Sequence, residues 1–236
     1  MSREIAFNSP LRAGKRKLSI QTRYDPDSRK ALTSVLDGEK LVDLRENVID
    51  GAVADELLEA EVRQFHELTV SDLDLLFCVN DKVLAGENPD SMAKLGTLFL
   101  EKGFYDEAID TFSTVLQRDE NFENIYYLLG QAWYRKGEID QAQENLRRAA
   151  EKRPGYPDVH YLLAEVLRKS GDHRAAAESC QKALSLNADY VSAHLLLGLI
   201  WAESTLLQPS HPEMPPPIER MKESKQHLLF AMDLVN

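Results

Sequence analysis

Residues 123–156 read ENIYYLLGQAWYRKGEIDQAQENLRRAAEKRPGY, and this 34-residue stretch decides the fold. Leu129, Gly130 and Trp133 fall on one side of Gly137; Ala142, Leu146 and Ala149 fall on the other. Apolar residues three and four apart mark an amphipathic helix, and a glycine between two such segments supplies the positive φ of a tight turn. Gly130 and Ala142 are small where the two helices of this hairpin would cross. Moving outward by 34 positions returns the same register: Leu95-Gly96, Leu129-Gly130, Leu163-Ala164 and Leu197-Gly198. Gly103, Gly137 and Gly171 keep step, as do Ala108, Ala142 and Ala176. Three returns of one register make a repeat array, in which each helix pair buries its apolar face against its neighbours.

The spacing resembles the tetratricopeptide repeat (TPR). Counted from Pro89, the first unit carries Phe99, Tyr105 and Phe112 with its Leu-Gly pair; the second, from Glu123, adds Tyr126 and Pro154. The third, from Pro157, adds Leu167, Cys180 and Ala183, and a fourth begins with His194 and Trp201. The fourth then departs from the pattern at a Pro-rich insertion, 206–217, which holds five of the ten prolines and reads as an extended loop. The resemblance implies a mainly α chain: a TPR helical solenoid of three full repeats plus one interrupted repeat, spanning 89–236.

Ahead of the array, Leu18, Ile20, Thr22 and Tyr24 alternate with polar residues, the mark of a half-buried strand. Asp37-Gly38 is the dipeptide preferred in a two-residue hairpin loop, and pairing through it sets Val35 opposite Lys40, Thr33 opposite Val42 and Ala31 opposite Leu44. Residues 17–50 therefore read as a small antiparallel β-meander of three strands. Residues 1–16, rich in polar and basic side chains, read as a mobile arm. Residues 51–88 carry nine acidic side chains and read as a degenerate helical pair capping the solenoid, with Ser71 as N-cap of its second helix.

The net charge of −11 is unevenly spread: +2 over residues 1–50, −8 over 51–90 and −5 beyond. An acidic body argues against a general nucleic-acid binder, since phosphate needs a clustered basic face. One such cluster, Arg12, Lys15, Arg16 and Lys17, keeps nucleic acid or an anionic surface open as an alternative. Cys78 and Cys180 lack metal-type spacing and read as reduced thiols, and no apolar run is long enough to span a bilayer. A cytoplasmic location is expected. There is no P-loop, HExxH or GxSxG, and no cofactor or metal site is expected.

Function then rests on surface. The resemblance implies that the first helix of each repeat lines a groove, with positions 2, 5, 9, 12 and 13 toward it. The residues expected to touch a partner are Leu100 in the first repeat; Tyr127, Gln131, Tyr134 and Arg135 in the second; Tyr161, Arg168 and Lys169 in the third; and Leu195 and Leu199 in the fourth. The Lys and Asn side chains with which related domains clamp a terminal carboxylate are replaced here by Ala93, Thr97, Leu128, Asp158 and Leu162. An amphipathic helix or an extended segment with apolar and acidic residues suits the groove better. The expected function is a non-enzymatic adaptor or scaffold, with the β-meander as a possible second docking or self-association surface. An assembly chaperone for a secreted or pilus-type subunit is the alternative within the same family.

Overall fold

The computed structural model describes residues 5–13, 16–86 and 88–235, arranged in two compact units, Met1–Phe104 and Tyr105–Asn236. The division falls inside the first repeat rather than at the expected boundary near residue 88.

The first unit holds a four-stranded antiparallel sheet in the order β1-β2-β3-β4: β1 (Ala6–Ala13), β2 (Arg16–Asp25), β3 (Lys30–Asp37) and β4 (Lys40–Val48). The expected mobile arm is thus largely a strand, paired with β2 from Ala6↔Arg23 to Ala13↔Arg16. Leu11 and Ala13 point into the core, and Pro10 is tolerated because β1 is an edge strand. Of the basic cluster, Arg12 lies on β1 and Arg16 and Lys17 open β2, with Arg16 3.4 Å from Asp37; Lys15, like residues 1–4, lies outside the described residues.

The β3–β4 register also differs from expectation. Asp37 pairs with Lys40, so the turn is Gly38-Glu39, and an irregularity between Val35 and Leu36 sets Val35 opposite Asp43 and Ser34 opposite Leu44. A slip of this kind exchanges faces. Val35 and Ala31 stay buried while Leu41, Leu44 and Val48 are exposed.

The stretch expected to be a helical pair holds a single helix instead. Helix α1 (Asp55–Ala85) runs unbroken through Ser71, because no Gly or Pro interrupts it and the Thr69 hydroxyl bonds back to the Phe65 carbonyl at 3.0 Å. Its Val62 joins Ile5, Tyr24, Ala31 and Ile49 in one core cluster. A polar chain runs through the same core: Ser9 Oγ lies 2.8 Å from His66 Nε2, His66 Nδ1 2.8 Å from the Thr22 hydroxyl, and Thr22 2.6 Å from Thr33. Helix α2 (Pro89–Glu101) follows, N-capped by Asn88, whose side chain accepts from the Ser91 amide. Phe77, Phe99 and Phe104 pack as tilted and edge-on rings 5.1–6.3 Å apart.

The second unit is wholly helical among its described residues: α3 (Tyr105–Arg118), α4 (Ile125–Lys136), α5 (Ile139–Lys152), α6 (Pro157–Ser170), α7 (His173–Leu186), α8 (Val191–Leu207) and α9 (Pro217–Val235). Gly137 (φ 94°) and Gly171 (φ 88°) end α4 and α6 in the left-handed conformation that a turn glycine permits. One apolar cluster runs from Ala142 and Leu146 through Leu163, Ala176 and Cys180 to Leu197 and Trp201. The insertion is shorter than expected: α8 continues through Leu207, and Pro217 opens α9, as a first-turn proline can.

Candidate functional site

Helices α4, α6 and α8, the first helices of three successive repeats, carry nine of the ten residues expected to meet a partner. Leu100 in α2 does not serve: it is 8% exposed, and its side chain belongs to the core.

A half-buried ridge of tyrosines joins the helices of this row. Tyr127, Tyr134, Tyr161 and Tyr190 pack against the main apolar cluster. The Tyr161 and Tyr190 rings lie 5.2 Å apart, and the Tyr190 hydroxyl donates to Asp158 at 2.7 Å. Tyr134 hydrogen-bonds to Glu165. Burial raises the phenol pKa of all four, and the carboxylates of Asp158 or Glu165 raise it further. These hydroxyls remain protonated at any physiological pH, and those of Tyr190 and Tyr134 are engaged by Asp158 and Glu165. Much of the tyrosine surface is thereby spent on holding one repeat to the next.

The cations divide in the same way. Arg168 is drawn down onto Glu203, with Nη1 at 2.8 and 3.1 Å from the two carboxylate oxygens, and His173 Nε2 stands 3.6 Å from the same group. Arg135 and Lys169 are exposed at the ends of α4 and α6. Gln131 is half-buried. Leu195 (46% exposed) and Leu199 (42%) stand one turn apart on α8 with open surface. The row thus offers two leucines and two cations to an incoming chain, while Arg168 and the tyrosines form its floor.

Of the partners of that floor, Glu203 stands at position 13 of the fourth repeat, which the resemblance turns toward the groove, whereas Tyr190 was not expected there. Tyr190 closes its repeat, where a linker is expected; the signal for it was Tyr156, the same residue type 34 positions earlier. His160 and His194 stand at the same position of successive repeats, 34 residues apart. Each places Nε2 against a carbonyl six residues back, Pro154 at 2.9 Å and Ala188 at 2.8 Å, and so serves packing. Among the described residues, no group of three or more His, Cys, Asp or Glu side chains is placed to hold a metal ion.

Two family profiles described as tetratricopeptide repeat match the chain, one over residues 99–166 and 136–178, the other over 161–204. Residues 99–204 are tetratricopeptide repeats. Among solved structures the TPR chain is similar to MamA, at 23% identity and a TM-score of 0.57 over 66% of this chain and 84% of that one. It is similar also to residues 41 to the end of MamA from Desulfovibrio magneticus RS-1, at 18% identity and 0.54 over 76% and 89%. A MamA RS-1 double mutant gives 19% and 0.58 over 78% and 97%. Identities of this size speak to the fold of the TPR protein alone. Comparison with curated protein sequences gives no match. TPR arrays are in general scaffolds for protein–protein interaction.

Proposed function

We propose that this protein is a cytoplasmic, non-enzymatic adaptor that holds a segment of another polypeptide along α4, α6 and α8. The observation that carries this reading is the pairing of open leucines, Leu195 and Leu199, with exposed cations, Arg135 and Lys169, over a floor in which Arg168 is already held by Glu203 and Tyr190 by Asp158. A preformed floor loses little conformational entropy on binding, so contact area at the leucines converts efficiently into affinity. The ligand that matches is a segment with apolar side chains for Leu195 and Leu199 and carboxylates for Arg135 and Lys169, bound as a helix or extended. Two unpaired thiols, Cys78 and Cys180, suit a reducing compartment, and among the described residues no helix is long and apolar enough to cross a membrane. The basic residues near the N terminus give the nucleic-acid alternative little support, because Arg16 is engaged by Asp37 at a strand end.

The test is selection from a random peptide display library against the full chain. Peptides carrying both acidic and large apolar residues are expected. Their binding should fall at least tenfold on Leu195→Asp with Leu199→Asp and become less salt-sensitive on Lys169→Ala. Selected peptides that bind all these variants unchanged, with helical circular dichroism intact, would refute the reading.

A further inference from the structure

On α9 the residue at the helix crossing is exposed where its counterparts in the two preceding repeats are buried. A Cβ added at Gly130 would lie 2.6 Å from Leu146 Cγ, with the Ala142 carbonyl close by. A Cβ added at Gly198 would meet Leu228 Cγ at 2.8 Å, with the Ser224 carbonyl close by. Leu228 on α9 therefore holds the place of Leu146 on α5, and by the 34-residue register that of Cys180 on α7. Leu146 and Cys180 are fully buried, since α6 and α8 follow them; the Cys180 thiol reaches the Ala193 carbonyl of α8 at 3.1 Å. Leu228 is 38% exposed.

The exposure extends along the whole helix. Ile218, Met221, Lys225, Leu228, Met232 and Val235 are spaced 3-4-3-4-3, and the five apolar members are between 38% and 73% exposed. This is the a/d spacing of a two-stranded coiled coil. Arg220, Ser224 and Ala231 turn inward, and Glu219, Lys222, Glu223, Gln226 and Asp233 take the outer face; Leu229 is exposed beside the stripe, and Phe230 lies against His194 on the α8 side.

Two properties of the stripe select its occupant. Its spacing reads the same from either end, so that an antiparallel copy pairs Ile218 with Val235, Met221 with Met232 and Lys225 with Leu228 about a two-fold axis between Lys225 and Leu228. A parallel copy would instead set Lys225 against Lys225, like charges in an apolar layer. In the antiparallel register each lysine lays its methylene stem over a leucine and carries its ammonium out to water. From these observations we infer that α9 is a self-association surface, which pairs with α9 of a second copy in antiparallel, two-fold symmetric fashion. The surface is separate from the Leu195–Leu199 site, so a dimer presents that site twice.

The test is sedimentation of the full chain at tens of micromolar, with a charge exchange across the pair. Wild type is expected as a dimer. Met221→Glu and Met232→Lys should each sediment as monomers with wild-type helical content, and the double variant should regain the dimer, because Glu at 221 then faces Lys at 232 of the other copy. Parallel pairing would set Glu against Glu and Lys against Lys, and the double variant would stay monomeric, which overturns the register. A monomeric wild type, or a dimer indifferent to both single changes, overturns the surface itself.

Discussion

Replacing Arg220 by Met probes what holds the interrupted repeat together. Arg220 is fully buried at the first turn of α9 and donates to carbonyls where α8 ends: Nη1 to Ser204 at 2.7 Å and Gln208 at 3.1 Å, Nη2 to Gln208 at 3.1 Å and Pro209 at 2.9 Å. Nη1 also lies 3.5 Å from the Met214 sulfur, so one guanidinium fastens both ends of the Pro-rich loop. Hydrogen bonds from a charged donor contribute about 1.5–3 kcal/mol each, or roughly 6–12 kcal/mol for four. Against this stands the desolvation of the guanidinium, which costs several kcal/mol and is offset in part by the negative end of the α8 dipole. Methionine keeps most of the volume and removes the charge, but strips donors from the Gln208 and Pro209 carbonyls and leaves the Ser204 carbonyl only the Gln208 amide at 2.9 Å. The net expectation for Arg220→Met is a loss of about 2–4 kcal/mol, seen as a fall in Tm of roughly 10 °C. Thermal melts by circular dichroism measure it, and limited proteolysis should cut the variant between Gln208 and Pro216 where the wild type resists. A variant that melts with the wild type and resists cleavage would show that the loop is held by Met214 packing instead.

Acid should weaken both units. Burial lowers the pKa of His66 and of His227, and the latter also faces His194, its Nδ1 2.8 Å from Nδ1 of that ring. The unfolded chain takes up these protons near pH 6.5 and the folded chain only below it, so stability is complete above about pH 6.5 and declines as pH falls through the folded-state values. Urea midpoints at neutral and mildly acid pH should show the decline, and His66→Gln with His227→Gln should flatten it; an unchanged slope would count against it. Gly130→Ala drives a methyl into Leu146 and should cost about 1–3 kcal/mol in chemical denaturation, whereas Gly155→Ala, with nothing within 4 Å of its Cβ, should not. Thr22→Val strips a partner from both His66 and Thr33 and should cost about 1–3 kcal/mol in the same denaturation experiment.

Where the chain repeats itself, the sequence was readable, because the helix crossing depends on residues a fixed distance apart. Gly130 and Leu146, or Gly198 and Leu228, announce their contact by size alone. The first unit has no such internal copy. Strand β1 was hidden by Pro10 and by basic side chains that suggested solvent, although Leu11 and Ala13 carry the alternation. The β3–β4 register turned on an irregularity at Val35 and Leu36 that no residue type announces. In the candidate site, the repeat register set which helix carries each residue, but not which cations were already spent. Arg168 and Arg135 look alike in sequence, and only the placement of Glu203 opposite one of them decides which remains open to a partner.

The fourth repeat shows why so long an interruption is tolerated. The crossing of α8 and α9 repeats that of α4 and α5, with the Ser224 hydroxyl donating to the Gly198 carbonyl at 2.8 Å where Ala142 stands in the second repeat. The repeat is therefore defined by its crossing and not by the length of chain that joins its helices. Loop closure grows only as the logarithm of loop length, so lengthening the connection costs far less than disturbing the crossing. What the longer loop does lack is a tight turn to satisfy the carbonyls ending α8, and Arg220 supplies that need from the next helix. On this reasoning, extending the loop by a few glycines at the exposed Ser210 should barely move Tm, whereas Ser224→Leu, with the loop untouched, should separate α9 and expose it to protease.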